Sequence, residues 1–352
     1  MNTDRVDTTR RLAQRPGSTA GSAAVFSVDE CWAGRWLGPT DLAVDGGNIR
    51  FATDADPAPS THLAGTVLPG FTDAHVHLGL IDGKALLAGG IAAVDDLGWD
   101  PDIAHGWTDD PTLPSVSFAG AFLTAPGGYP TGRPWAPSHC VVEVSSHETA
   151  VAAIDAQLAA GASFIKLTLN SVAGPVLDDV TLAALVAHAH TAGTTVVAHA
   201  EGVSQAERAF AAGVDRLAHT PWSERLDDDL VESMAGTQQW VSTLDIHGWG
   251  KYGADFATAQ DNLSRFHRFG GTVFYGTDLG NGPLPLGINR RELRALQDAG
   301  LDGDAVVRSI AGTRTGGFGP VVSFIAGVRL PDVPTWLTSA SVLSAADVFT
   351  RI

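Results

Sequence analysis

Between Ala85 and Gly300 one phrase recurs: an alanine-rich amphipathic stretch, a glycine, then a short β-branched run that ends in a polar residue. Strands and helices that alternate over short links have few folds open to them, all built on a parallel sheet. The clearest copies are His147–Ala160 closed by Gly161 before Ser163-Phe-Ile-Lys-Leu167, and Leu182–Ala192 closed by Gly193 before Thr195-Val-Val-Ala-His199. Two more follow: Ala206–Ala212, Gly213 and Arg216-Leu-Ala-His219, then Gln260–Phe269, Gly270-Gly271 and Thr272-Val-Phe-Tyr-Gly-Thr-Asp278. Glycine suits the left-handed position just past a helix, which accounts for its recurrence without any appeal to function.

Further β segments at Val67–Leu78, Ile91–Leu97, Val116–Leu123 and Trp240–His247 bring the count to eight. The expected fold class is therefore α/β, a (β/α)8 TIM barrel. An open doubly wound sheet is the alternative, but no G-x-G-x-x-G opens any helix to mark a dinucleotide site. Outside the barrel, Val25–Ala64 reads as short strands with a strong turn at Asp45-Gly46-Gly47-Asn48, and Val321–Ile352 holds further apolar runs. The expected division is a disordered tail (1–22), a small β-rich side domain built from both chain ends (23–66 and 320–352), and a barrel (67–319).

The chain's 352 residues can bury a large core, and a net charge of -17 argues against nucleic acid or an anionic membrane as partner. What remains is a small-molecule substrate, with a homo-oligomer left open. Cys31 and Cys140 are the two cysteines, without C-x-x-C spacing, so neither a disulfide framework nor a thiolate metal cage is expected. Met1–Ala20 is polar and lacks an apolar signal core, and no run of 18 apolar residues exists. A cytoplasmic location is the default expectation.

In each copy of the phrase the polar residue sits at the C-terminal end of its strand, the end where barrels do chemistry. His75 and His77, at i and i+2 in Pro69-Gly-Phe-Thr-Asp-Ala-His-Val-His77, project to one face of a strand. A lone His-x-His is more often packing than a ligand pair. Here Lys166 on strand four, His199 on five, His219 on six and Asp278 on eight converge on the same mouth. Lys166 is the sharpest anomaly, because an ammonium inside the apolar run Phe164-Ile-Lys-Leu167 is costly and tends to lose its charge. It could pair with Asp278 or Asp96. Alternatively, the neutral amine could react with carbon dioxide, giving a carbamate whose oxygens can bridge two metal ions.

These residues resemble the metal-dependent amidohydrolase superfamily, most closely its imidazolonepropionase and Xaa-Pro dipeptidase (prolidase)-like branch. The resemblance runs from roughly Val25 to Val342 and is carried by Leu68-Pro-Gly-Phe-Thr-Asp-Ala-His-Val-His77, Phe164-Ile-Lys-Leu167, Val197-Ala-His-Ala200, Leu217-Ala-His-Thr220 and Gly276-Thr-Asp278. It implies two divalent ions, zinc first, with His75, His77 and Asp278 on one, His199 and His219 on the other, and carboxylated Lys166 between them. Hydrolysis of an amide or cyclic amide C–N bond by metal-bridged hydroxide would follow, with Asp278 as proton shuttle. A mononuclear deaminase, and a lactonase or phosphotriesterase on the same ligands, stay open. Histidine is common in that branch at the position of Tyr129, and Gly316–Ile352 lacks the branch's Gly-Lys-x-Ala-Asp phrase, which leaves the form of the side domain open. For the substrate pocket the loops offer Tyr129, Arg133, His247 and Trp249, with Trp99, Trp135, Trp222, Lys251 and Tyr252 near them.

Overall fold

The computed structural model describes residues 24–312 and 317–351; the tail expected at 1–22 lies outside them. The chain first lays down β1 (Ala24–Cys31), β2 (Thr40–Asp45), β3 (Asn48–Phe51) and β4 (Thr61–Pro69). The Asp45–Asn48 turn joins β2 to β3 as an antiparallel hairpin, with Gly46 and Gly47 both at positive φ. Strands β5 (Thr72–Val76), β6 (Ala93–Asp96), β7 (Ser115–Phe118), β8 (Phe122–Thr124), β9 (Val141–Glu143) and β10 (Ile165–Asn170) follow. Then come β11 (Val196–Glu201), β12 (Arg216–Leu217), β13 (Gln239–Val241) and β14 (Thr272–Phe274), before β15 (Val321–Ala326) and β16 (Ser341–Ser344) return to the start.

The barrel closes through parallel pairs running β5-β6-β7 and β8-β10-β11-β12-β13-β14. Its seam is the last pair, where the Ala74 amide donates to the Tyr275 carbonyl (3.0 Å) and the His77 amide to that of Leu279 (2.8 Å). Gly276 permits the approach, since a Cβ there would lie 2.2 Å from Val241 Cγ1 and 3.2 Å from the His75 amide nitrogen. Expected strand three, Val116–Leu123, is two pieces: β7 pairs with β6, and β8, past the bend at Ala119–Ala121, pairs with β10. Expected strand one is likewise divided, because β4 stays in the side sheet and Gly70–Phe71 turns the chain into β5. The segment expected at Trp240–His247 leaves the sheet after Val241 and passes through a 3-10 turn, Leu244–Ile246.

Helices sit where the periodicity puts them, as in His147–Ala159, Asp179–Thr191, Gln205–Ala211 and Ala254–Arg268. The glycines that close them, Gly161, Gly193, Gly213 and Gly270, take φ between 79 and 96°. The two chain ends share a six-stranded sheet in the order β16-β15-β4-β1-β2-β3, mixed because β1 and β4 run parallel. The short C-terminal stretch thus suffices to complete the side domain, with β15 antiparallel to β4 and a closing helix at Ala345–Arg351. Among the described residues no helix is long and apolar enough to cross a membrane.

Candidate metal centre

A cavity of about 270 Å³ opens at the C-terminal ends of the barrel strands. His75, His77, Lys166, His199, His219 and Asp278 all line it, as do Tyr129, His247 and Trp249. Arg133 does not: it is exposed at the rim, its guanidinium 5.6 Å from the centre of the Tyr129 ring. Lys251 is exposed as well.

The first corner is formed by β5 and the loop after β14. His75 Nδ1 meets the Ala218 carbonyl at 2.8 Å and His77 Nδ1 meets that of Gly98 at 3.2 Å. A carbonyl only accepts, so both Nδ1 atoms carry the hydrogen and both Nε2 atoms present bare lone pairs. Those Nε2 atoms lie 3.3 Å apart, at 3.1 Å (His75) and 3.2 Å (His77) from Asp278 Oδ1. Three acceptors thus converge with no hydrogen among them, which water-excluded groups do not tolerate unless a cation sits there. Donors about 2.0–2.1 Å from a tetrahedral zinc stand roughly 3.4 Å apart. The residues therefore fit a divalent ion, and they are the one such histidine, cysteine and carboxylate group among the described residues.

Supports lie behind this corner. Asp73, 1% exposed, accepts from the His75 amide (3.1 Å) and from the amide and hydroxyl of Thr277 (3.0 and 2.5 Å), locking β5 to the loop that carries Asp278. Asp278 itself has φ 55°, a left-handed conformation unusual for a non-glycine residue. Burial drives the His75 imidazole far below its usual range, so the ring is neutral, the form a metal requires.

The second corner is made of β10, β11 and the loop after β12. The His219 ring packs 4.6 Å from His75 and 4.9 Å from His199, centre to centre, so the four imidazoles form a continuous row. His219 Nδ1 shares a hydrogen with Thr243 Oγ1 (2.9 Å), which leaves Nε2 free. Thr243 is held in a left-handed conformation, φ 43°. His199 Nε2 lies 3.2 Å from Glu201 Oε2 and 3.3 Å from Asn170 Nδ2. Burial lowers the pKa of both rings, His219 far below the usual value. Lys166 is 1% exposed and makes no hydrogen bond or ion pair among the described residues, with either Asp278 or Asp96. Burial brings its ammonium down to about 7 against the pull of Asp278 and Asp96, so an unprotonated amine is present at neutral pH.

Glu201 and Asn170 are lining residues that the sequence analysis missed. They face each other across β10 and β11, and the available signal was the i,i+2 spacing of Lys166-Thr168-Asn170 and His199-Glu201. Asn170 Nδ2 donates to Glu201 Oε2 at 2.6 Å. Phe122, Trp135 and Trp222 complete the apolar wall, with Tyr129 stacked on His199 at 5.4 Å and Trp222 edge-on to the same ring at 5.8 Å, centre to centre.

No family model matches the chain. An uncharacterized protein of Mycobacterium tuberculosis is 27% identical over 270 residues, covering 67% of this chain and 70% of that protein. Among solved structures, a Xaa-Pro dipeptidase with bound methionine in its active site superposes with a TM-score of 0.76 at 18% identity, over 92% of this chain and 98% of the other. Ochratoxinase of A. niger superposes with a TM-score of 0.73 at 18% identity, over 92% and 95%. An amidohydrolase superposes with a TM-score of 0.70 at 18% identity, over 92% and 98%. At these identities the likeness is one of fold: the chain has an amidohydrolase-like barrel and, within it, a buried candidate metal site at His75, His77 and Asp278.

Proposed function

We propose that this protein is a metal-dependent hydrolase that holds two divalent cations and cleaves an amide or cyclic amide C–N bond in a small, partly apolar or aromatic substrate. The observation that carries the reading is the meeting of His75 Nε2, His77 Nε2 and Asp278 Oδ1 within 3.3 Å of one another, all as acceptors. The fold shared with a dipeptidase and an amidohydrolase supports it.

His199 and His219 would hold the second ion, and Lys166 would link the two. Its buried, partnerless amine can add carbon dioxide, forming an N–C bond and releasing one proton, to give an anionic carbamate. Zinc is the ion that imidazole and carboxylate donors suit best. Bound cations would supply water of lowered pKa and a Lewis acid for the scissile carbonyl. Asp278 moves the proton: its Oδ2 accepts from Asn281 Nδ2 at 2.9 Å and keeps a lone pair to take the proton from the attacking water and return it to the leaving nitrogen. Burial raises the Tyr129 phenol well above its ordinary value, so it stays a hydrogen-bond donor. His247 Nε2 is buried without a partner at the cavity wall, available to the substrate carbonyl, and Trp249 lines the same cavity.

The test is metal analysis of protein purified without chelator, joined to a screen of dipeptides, N-acyl amino acids, cyclic amides and lactones. Two equivalents per chain with amide turnover is the expected result. One equivalent with release of ammonia would replace this reading by a mononuclear deaminase, and turnover confined to esters by a lactonase.

A further inference from the structure

The cavity has a wall built to receive positive charge. Glu201 stands at it with its two carboxylate oxygens in different situations. Oε2 is pinned by Asn170 Nδ2 (2.6 Å) and faces His199 Nε2 (3.2 Å). Asn170 is itself fixed, because its Oδ1 accepts from the amides of Val172 (3.1 Å) and Ala173 (2.9 Å). Oε1 has no partner among the described residues. The carboxylate is therefore held rigidly, with one oxygen left to accept a hydrogen bond.

Its surroundings offer aromatic faces; one guanidinium, that of Arg133, stands at the rim 5.6 Å from the centre of the Tyr129 ring. Tyr129 and Trp222 both pack on the His199 ring that Glu201 contacts, and Trp135 lies 6.0 Å from Tyr129. Such faces attract a cation placed over them. Lys166, at the floor, is the single basic side chain other than histidine among the lining residues, since Arg133 and Lys251 remain outside the lining. Burial also keeps the His247 imidazole neutral, with a pKa near 4, so it brings no positive charge to this wall.

We infer that Glu201, braced by Asn170 and flanked by Tyr129 and Trp222, selects substrates that carry an organic cation, an ammonium or amidinium group, beside the apolar part. The inference rests on the proposed hydrolytic reading for where the scissile bond lies, but the charge preference itself is a binding property. A substrate carboxylate at this wall would meet the like charge of Glu201, whereas an N–H donor would complete the free Oε1.

Calorimetric binding of benzamidinium and of its neutral isostere benzamide to the metal-loaded protein tests this. Benzamidinium should bind roughly tenfold or more tighter, the scale of a charge-assisted hydrogen bond. Glu201→Gln should bring the ratio of the two affinities close to one. Using the ratio removes any loss that the variant causes through His199, and the wild-type comparison needs no variant at all. Equal or tighter binding of benzamide, no binding of either, or an equal loss of both in Glu201→Gln would overturn the inference. Metal content and amide turnover, read on the same preparation, report separately on the hydrolytic reading: a cation preference without turnover would leave the first standing and remove the second.

Discussion

The two corners of the cavity hold their imidazoles by different means. At His75 and His77 the outward Nδ1 atoms donate to backbone carbonyls, of Ala218 and Gly98, which the barrel itself fixes in place. At His199 and His219 the outward nitrogens meet side chains, Glu201 and Thr243. The first corner also contains its own carboxylate, Asp278, whereas the second has Lys166, an amine that burial brings down to about 7, where an anionic ligand is needed. The fold alone thus prepares the first corner for a cation. The second depends on side chains braced by side chains, and on a chemical change at Lys166.

The largest expected effect breaks the second corner at its centre. Lys166→Ala should lower turnover by on the order of a thousandfold, the scale of losing a directly acting electrostatic group. It should also reduce bound metal from about two ions to about one. Short carboxylic acids should restore part of both by supplying the missing oxygens. Unimpaired turnover by Lys166→Ala, measured beside metal content, would remove the bridge from the proposal.

A sharper comparison pits the corners directly against each other. His77→Ala should abolish the tight ion and leave only weak binding, while His199→Ala should leave the tight ion and lose the other. Stepwise metal titration followed by calorimetry reads this, and identical losses in the two variants would mean that the corners are not distinct. A smaller effect is expected at the second layer. Thr243→Val removes the hydroxyl that orients His219 and should weaken only the second ion, by about 10- to 100-fold. Equal weakening of both ions would contradict the division.

What the sequence made legible follows the same division. His75, His77, Lys166, His199, His219 and Asp278 could be read because each lies in or just past a short strand run, and strand periodicity then dictates the side most of them face. Glu201 and Asn170 were passed over because β10 and β11 continue two or three residues beyond the apolar runs, although the alternation Lys166-Thr168-Asn170 and His199-Glu201 carries on to both. The division of strand three at Ala119–Ala121 was hidden because Phe118 to Leu123 reads as one continuous buried run. Arg133 was chosen for its charge, which says nothing about reach. Its place at the rim over Tyr129 is a consequence of the loop path.

The smallest expected effect lies on the wall above the two corners and concerns stability. Burial lowers the His247 imidazole from its ordinary value of 6.5 to about 4. The unfolded chain therefore binds more protons than the folded one between those limits, and stability falls as pH drops from about 6.5 toward 4. The contribution is complete above the unfolded value and is lost as pH falls through the folded one. His247→Gln, which keeps a polar side chain but cannot titrate in this range, should flatten that part of the profile without changing its neutral side. Thermal melts at pH 7 and pH 5 are enough: the gap between the two melting temperatures should be narrower in the variant than in the parent. An unchanged gap would mean that His247 takes up its proton as readily in the folded protein as in the unfolded chain. The wall would then carry positive charge at mildly acidic pH, which would weaken, under those conditions, the cation preference assigned to Glu201.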